Sequence, residues 1–162
     1  MDPRYAYHFV DLWHLPAPIE MVWPHIRDVK GYPRWWKQFV EARPRNDLNG
    51  VGAVVWVHVK AALPYHLYFE IEAVREEPPR LAAARLRGDL NGETMWRLES
   101  HGGGTRLILE ETVVTGKALL STLTPLLRPL FAWNHAIAAR RGEQGLRRIL
   151  AAGRSDTPPS AG

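Results

Sequence analysis

The sequence predicts an α+β protein in which one long C-terminal helix covers an antiparallel sheet. Segments with the two-residue alternation typical of β-strands dominate residues 40–114. Turn-forming Asn-Gly, Pro-Pro and Gly-Gly-Gly sequences separate these segments at the short intervals typical of hairpins. After Gly116 the spacing of apolar residues changes from that of a strand to that of a helix.

The N-terminal part of the chain predicts one strand followed by two short helices. Residues 5–14 are rich in aromatic residues and partly alternating, as in a strand. Within residues 15–29, Pro18 suits a first helical position, and Pro24 is expected to bend or shorten the helix. One apolar stripe at helical spacing supports this helix: Ile19, Val22, Trp23 and Ile26. Residues 32–39 then form a second short helix or turn.

Six further strands are predicted, at residues 40–45, 54–60, 65–74, 81–88, 93–100 and 105–114. In the third of these, polar residues alternate with an apolar set, Leu67, Phe69, Ile71 and Ala73, which indicates one buried and one wet face. For residues 54–60 the sequence does not decide which side chains face inward. Either Val55, Val57 and Val59 pack inward, or Trp56 and His58 face a cavity.

The last helix is predicted to begin near Thr124, restart at Pro129 and end near residue 151. At 100° per residue, its sheet-facing side contains Leu127, Phe131, Ala138, Gly142, Leu146 and Ile149. Asn134, His135 and Gly145 fall on the same side, whereas Trp133 and several charged residues point away. Two explanations remain. In the first, the glycines allow close packing of the helix on the sheet, and the Asn-His pair makes hydrogen bonds within the protein. In the second, these residues border a ligand cavity.

Composition limits the class of protein. With 162 residues, 23% of them charged, the chain predicts one domain over residues 1–152 and a disordered tail over residues 153–162. The absence of cysteine excludes disulfides and a thiolate nucleophile. No apolar run is long enough to span a membrane and no secretory leader is recognised, so we expect a cytoplasmic protein without stable membrane insertion. The sequence does not predict the oligomeric state.

Familiar catalytic motifs are missing. The chain has no GxSxG, HExxH or phosphate-binding loop. Its histidines lack the spacing of metal ligands, so neither a metal nor another cofactor is expected. The adjacent Glu110 and Glu111 must point to opposite faces of one strand. The glutamate that points inward would need an ion-pair or hydrogen-bond partner for its carboxylate, and the candidates are Arg85, Arg87, Arg97 and His135.

Three stretches resemble a known superfamily. They are LPAPIEMVWPHIRDVKGYPRWWKQF, GGGTRLILEE and FAWNHAIAARRGEQGLRRIL, and they resemble the START-like (SRPBCC) group of polyketide cyclases, dehydrases and lipid-transport proteins. The resemblance spans about residues 5–151. It implies a helix-grip (Bet v 1-like) fold, in which a curved seven-stranded antiparallel sheet surrounds the C-terminal helix and an apolar cavity. Members bind lipids, sterols, polyketides or plant hormones, and some cyclise polyketides.

Three functional hypotheses follow. The first is a protein that binds a hydrophobic small molecule in a cavity between sheet and C-terminal helix; its candidate ligand contacts are Trp56, His58, Phe69, Trp96, Phe131, Asn134, His135 and Gly142. The second is a polyketide cyclase or dehydrase, with His135 as the candidate catalytic residue. The third is an interaction module whose basic helix face or C-terminal tail meets an anionic partner. Because the arginines are spread along the chain and no nucleic-acid motif occurs, we expect no nucleic-acid partner.

Overall fold

The computed structural model describes residues 6–115 and 124–155, with the side chains of 124–127 and 154–155 left aside. Seven strands lie in this part of the chain: β1 (Tyr7–Leu15), β2 (Phe39–Pro44), β3 (Val54–Lys60), β4 (His66–Glu77), β5 (Leu81–Gly88), β6 (Leu90–His101) and β7 (Gly104–Thr115). They are accompanied by helix α1 (Ile19–Arg27), a 3₁₀ helix (Val29–Arg34) and the long helix α2 (Thr124–Ser155). None of these helices has both the length and the apolar character needed to cross a membrane.

The strands form one antiparallel sheet in the order β1-β7-β6-β5-β4-β3-β2. Five of the six pairings join strands that follow each other in sequence, and only the pairing of β1 with β7 is distant. The segment with α1 and the 3₁₀ helix therefore links the two edges of the sheet. This arrangement confirms the predicted α+β class, with seven antiparallel strands, two short helices after β1 and a long C-terminal helix.

Helix α2 and the predicted Asn91-Gly92 turn differ from the prediction. Helix α2 runs without interruption through Pro129, with one backbone hydrogen-bond donor fewer, instead of restarting there. It also continues to Ser155, past the expected start of the tail, whose residues 156–162 lie outside the described part. Asn91-Gly92 is not a turn but part of β6, where a Cβ on Gly92 (φ +152°) would overlap the Thr112 carbonyl oxygen. Gly92 is thus needed for close strand approach rather than for a turn.

Alternation along the strands defines the inner face of the sheet. On β4, Leu67, Phe69 and Ile71 are buried, as predicted. On β3, Val55 and Val57 are buried, which settles the open question about that strand in favour of the valines. Along β1 the more buried residues are Tyr7, Phe9, Asp11, Trp13 and Leu15, so an acidic residue falls among apolar neighbours on the inner face.

An aromatic cluster fixes the C-terminal half of α2 on the sheet. Trp13 packs edge-on against both Trp36 and Trp96, with ring centroids 5.6 Å and 5.3 Å away. The fully buried Leu146 and Leu150 of α2 belong to the same cluster. A Cβ on Gly142 would come within 2.8 Å of Trp13 Cη2 and 2.7 Å of Trp36 Cε2, so this glycine allows α2 to contact the tryptophans directly.

Candidate functional site

Two adjoining cavities lie on the inner face of the sheet. The large chamber, of about 680 Å³, is lined by the 3₁₀ helix, the end of α1, residues 44–54 and the inner faces of β4, β5 and β6. The small chamber, of about 160 Å³, lies under the N-terminal half of α2, against β1, β4 and β7. They share five lining residues: Trp36, Phe39, Phe69, Leu90 and Glu111. Only the small chamber lies beneath the long helix, so most of the open volume is beside it.

Apolar side chains dominate the lining of both chambers. In the large chamber the apolar wall comprises Val55, Ile71, Ala82, Ala84, Leu86 and Trp96. In the small chamber it comprises Phe9, Val59, Leu67, Val113, Phe131 and Ala138. Such a lining favours a hydrophobic ligand, because contact with it removes apolar surface from water.

A cluster of three ionisable side chains borders the small chamber. His135 on α2 has its Nε2 atom 2.6 Å from Asp11 Oδ2 on β1 and its Nδ1 atom 3.4 Å from Glu111 Oε2 on β7. The Phe9 ring stacks on the imidazole with a centroid distance of 3.8 Å. Both ring nitrogens of His135 therefore face carboxylates, and the group of this cluster that lines both chambers is Glu111.

Burial and mutual charge shift the pKa values of this cluster. Burial lowers the pKa of His135, but the hydrogen bond to Asp11 and the charges of Glu111 and Asp11 raise it, and the net pKa lies above the ordinary value. Burial raises the pKa of Glu111; His135 opposes this shift and Asp11 adds to it. The Glu111 carboxyl is therefore a stronger base than an exposed carboxyl.

Asn134 fastens α2 to the loop between β3 and β4. Its Oδ1 atom accepts hydrogen bonds from the backbone N–H of Ala62 at 2.7 Å and of Leu63 at 3.4 Å. Its Nδ2 atom donates to the Tyr65 hydroxyl at 3.4 Å. These contacts hold the N-terminal half of α2 over the small chamber through polar groups.

Two buried polar atoms of the small chamber lack a hydrogen-bond partner among the described residues. They are the Tyr7 hydroxyl and Gln38 Oε1. The Gln38 side chain follows the 3₁₀ helix, and the residue is only 3% exposed. Buried polar atoms are normally hydrogen-bonded, so these two atoms are candidates for contact with a bound molecule.

The structure brings some predicted site residues together and separates others. Phe69, Trp96, Phe131, Asn134 and His135 line one or both chambers.

Trp56 and His58 lie on the opposite face of the sheet, where both stack on Tyr68, and His58 Nε2 is 2.6 Å from His66 Nδ1. They are left out of the candidate site, as is Gly142, which packs on tryptophan instead of lining a chamber. The candidate arginines do not supply an inward cation either, because Arg85, Arg87 and Arg97 are exposed.

Sequence reasoning missed several residues of the site. The alternation of β1 could have revealed Asp11, because it shares its face with Tyr7, Phe9 and Trp13. Glu111 had been one of two candidates for the inward carboxylate, and His135 one of its four candidate partners; the structure pairs these two. Nothing in the local sequence pointed to Gln38. In the described ranges no group of three or more His, Asp or Glu residues is arranged to hold a metal ion.

Comparisons with known proteins agree with this architecture. A Thermus thermophilus protein of known structure is 20% identical, with a TM-score of 0.75 over 91% of this chain and 99% of that one. The Zhui aromatase/cyclase from a Streptomyces species is 18% identical, with a TM-score of 0.76 over 96% and 99%. The protein Ara h 8.0201 is 12% identical, with a TM-score of 0.64 over 91% and 99%. These similarities show that the fold is of the helix-grip, Bet v 1-like type.

At the level of sequence, none of the curated proteins matches the chain significantly. Residues 9–152, however, match the family described as polyketide cyclase / dehydrase and lipid transport. This match covers nearly all of the described strands and helices, including every residue of the Asp11–His135–Glu111 cluster. The chain therefore belongs to the polyketide cyclase / dehydrase and lipid transport family.

Proposed function

We propose that the protein binds a hydrophobic small molecule, such as a lipid or a polyketide, in the two chambers on the inner face of the sheet. The observation that carries this proposal is the large chamber of about 680 Å³ with its apolar wall. Ligand pockets usually enclose about 300–1,000 Å³ and combine an apolar lining with a few polar groups.

The position of Glu111 indicates how such a ligand would be oriented. The carboxyl lies where the two chambers meet, and His135, Asn134 and Tyr65 are all on the side of the small chamber. A ligand with one polar end would place that end in the small chamber and its apolar body in the large one. This orientation lets the polar end make hydrogen bonds while the apolar body avoids water.

Native mass spectrometry of the protein purified from its own host tests the proposal. We expect a hydrophobic compound to co-purify. An Ala84→Phe substitution on β5 would fill part of the large chamber and should displace that compound. Ala136→Phe, at an exposed position of α2, is the matched control and should retain it. If no hydrophobic compound is retained and hydrophobic probes bind both variants equally, the proposal is wrong.

The Asp11–His135–Glu111 cluster supports a second function, cyclisation of a polyketide. In this reaction the Glu111 carboxylate would remove a proton from a carbon between two carbonyl groups. The resulting carbanion would form a carbon–carbon bond with a carbonyl carbon of the same chain, and protonated Glu111 would return the proton to the new alkoxide. Because both nitrogens of His135 face carboxylates, His135 acts here as a positioning residue and Glu111 as the acid and base.

Two substitutions separate binding from catalysis. Glu111→Gln keeps the size of the side chain but removes its basicity, so turnover of a poly-β-keto substrate should fall by at least ~100-fold while binding persists. His135→Gln should change the pH profile of the rate more than the affinity. A cyclisation rate that is unaffected by Glu111→Gln would exclude the catalytic hypothesis and leave the binding proposal intact.

A further inference from the structure

The small chamber contains a hydrogen-bond acceptor that the fold leaves without a partner. Gln38 Oε1 makes no hydrogen bond with any residue that the structure describes, although the residue is only 3% exposed and lines this chamber. A carbonyl oxygen in this position is unfavourable unless a donor comes from outside the fold. A ligand group with an O–H or N–H would therefore supply the missing hydrogen bond.

The volume of the chamber limits the size of that group. It encloses about 160 Å³, and an engineered cavity of about 150 Å³ in another protein binds benzene. One six-membered ring therefore fills the small chamber, and a fused ring system would extend into the large one. The aromatic walls, Phe9, Phe39 and Phe131, offer faces and edges for contact with such a ring.

The charges around the chamber narrow the choice of donor. Asp11 and Glu111 oppose an anionic group such as a carboxylate, and a ketone has no proton to donate to Gln38 Oε1. A protonated amine would lose much more hydration than a hydroxyl on entering the apolar chamber. The Tyr7 hydroxyl, which also lines the small chamber and has no hydrogen-bond partner among the described residues, can both donate and accept. A neutral ring hydroxyl matches all of these features.

We propose that the small chamber binds a phenolic ring of the ligand, with the ring hydroxyl donating a hydrogen bond to Gln38 Oε1. This proposal rests on the proposed function, since it specifies the end of the ligand that reaches beneath α2. It assigns the recognition of a ring with a hydrogen-bond donor to the small chamber and leaves the rest of the ligand to the large chamber.

Phenol and toluene provide the test, because they have nearly the same size and differ in the donor. Each is titrated into ¹⁵N-labelled protein. The chain contains two glutamines, Gln38 and Gln144, so their side-chain amide signals are easily told apart. We expect phenol to bind about 10-fold more tightly than toluene and to shift the Gln38 amide signal. The exposed Gln144 serves as an internal control whose signal stays in place.

A pair of variants assigns the preference to one atom. Gln38→Leu removes the acceptor and keeps most of the volume, so the ratio of the two affinities should fall to about 1; Gln144→Leu should leave the ratio unchanged. Equal binding of phenol and toluene by the unmodified protein, or no binding of either, overturns the proposal even if Gln38→Leu does not fold. The compound detected by native mass spectrometry decides the proposed function separately, so the two failures are distinguishable.

Discussion

The two halves of α2 meet the rest of the protein in opposite ways. From Ala139 to Leu150 the helix packs directly on the aromatic cluster, with Leu146 and Leu150 fully buried. From Phe131 to Ala138 it covers the small chamber and is held by hydrogen bonds and ion contacts of Asn134 and His135. One helix thus provides both a tightly packed anchor and the roof of a cavity.

The difference shows that small residues and polar residues on a buried helix face indicate different kinds of packing. Gly142 and Gly145 mark places where another part of the chain comes too close for a side chain. Asn134 and His135 mark a place where α2 lies over the small chamber, and their polar groups contact the β3–β4 loop and two carboxyl groups of the sheet. The sequence pattern alone mixes these two signals, because all four residues lie within one arc of the helix.

The largest expected loss of stability comes from disrupting the packed half of α2, from Ala139 to Leu150. A Cβ on Gly145 would overlap the backbone carbonyl oxygen of Trp35, which cannot move away as a flexible side chain can. We expect Gly145→Ala to lower the free energy of unfolding by about 3 kcal/mol, as measured by urea denaturation.

Gly153→Ala is the matched control for this change. It lies in the same helix, and an added Cβ would meet nothing within 4 Å, so it should stabilise the protein by up to about 1 kcal/mol through helix propensity. Equal effects of the two substitutions would contradict the account of the packed half.

The fold was predictable because its signals are local. Alternation in residues 65–74, turn sequences and the helical spacing after Gly116 each follow from short-range chemistry, and together they determine the order of elements. Errors arose where a distant partner decides the outcome. Asn91-Gly92 has the composition of a turn, yet the closeness of Thr112 on β7 explains its glycine within a strand.

The candidate site was predictable only in part, because it depends on which residues meet across long sequence separations. The helix pattern correctly placed Asn134 and His135 on the side facing the sheet. The position of Asp11, 124 residues away from His135, required the register between β1 and β7. Trp56 and His58 were candidates because of their residue types. Since alternate residues of β3 point to opposite faces and Val55 and Val57 point inward, Trp56 and His58 lie on the other face.

A smaller loss of stability is expected from removing a polar contact in the part of α2 that covers the small chamber, from Phe131 to Ala138. Asn134→Ala removes the acceptor for the N–H groups of Ala62 and Leu63. Global stability should fall by about 1–2 kcal/mol, and hydrogen exchange at the Ala62 amide should accelerate more than exchange in β7. Asn134→Asp keeps the acceptor and should restore slow exchange at Ala62. If Asn134→Ala leaves that amide protected, the loop is held by something other than Asn134.

The smallest effect concerns pH and tests the charged cluster. Because the pKa of His135 is raised on folding, the stabilisation from its protonated form is complete below the ordinary value of 6.5 and is lost as pH rises through the folded-state pKa. The raised pKa of Glu111 acts with the same sign, starting from its ordinary value of 4.5. The stability advantage of the unmodified protein over His135→Gln should therefore shrink as the pH rises above the ordinary value of 6.5.

His25 on α1 supplies the control of opposite sign for this measurement. Burial and the neighbouring Arg34 lower its pKa, and Asp28 opposes them only in part. Its contribution is therefore present above the ordinary value of 6.5 and is lost as pH falls through the lowered pKa. In urea denaturation, the difference curve of His25→Gln should change below about pH 6.5, with a slope opposite to the one that His135→Gln shows above it. Slopes of the same sign would mean that Asp11 and Glu111 do not hold a proton on His135.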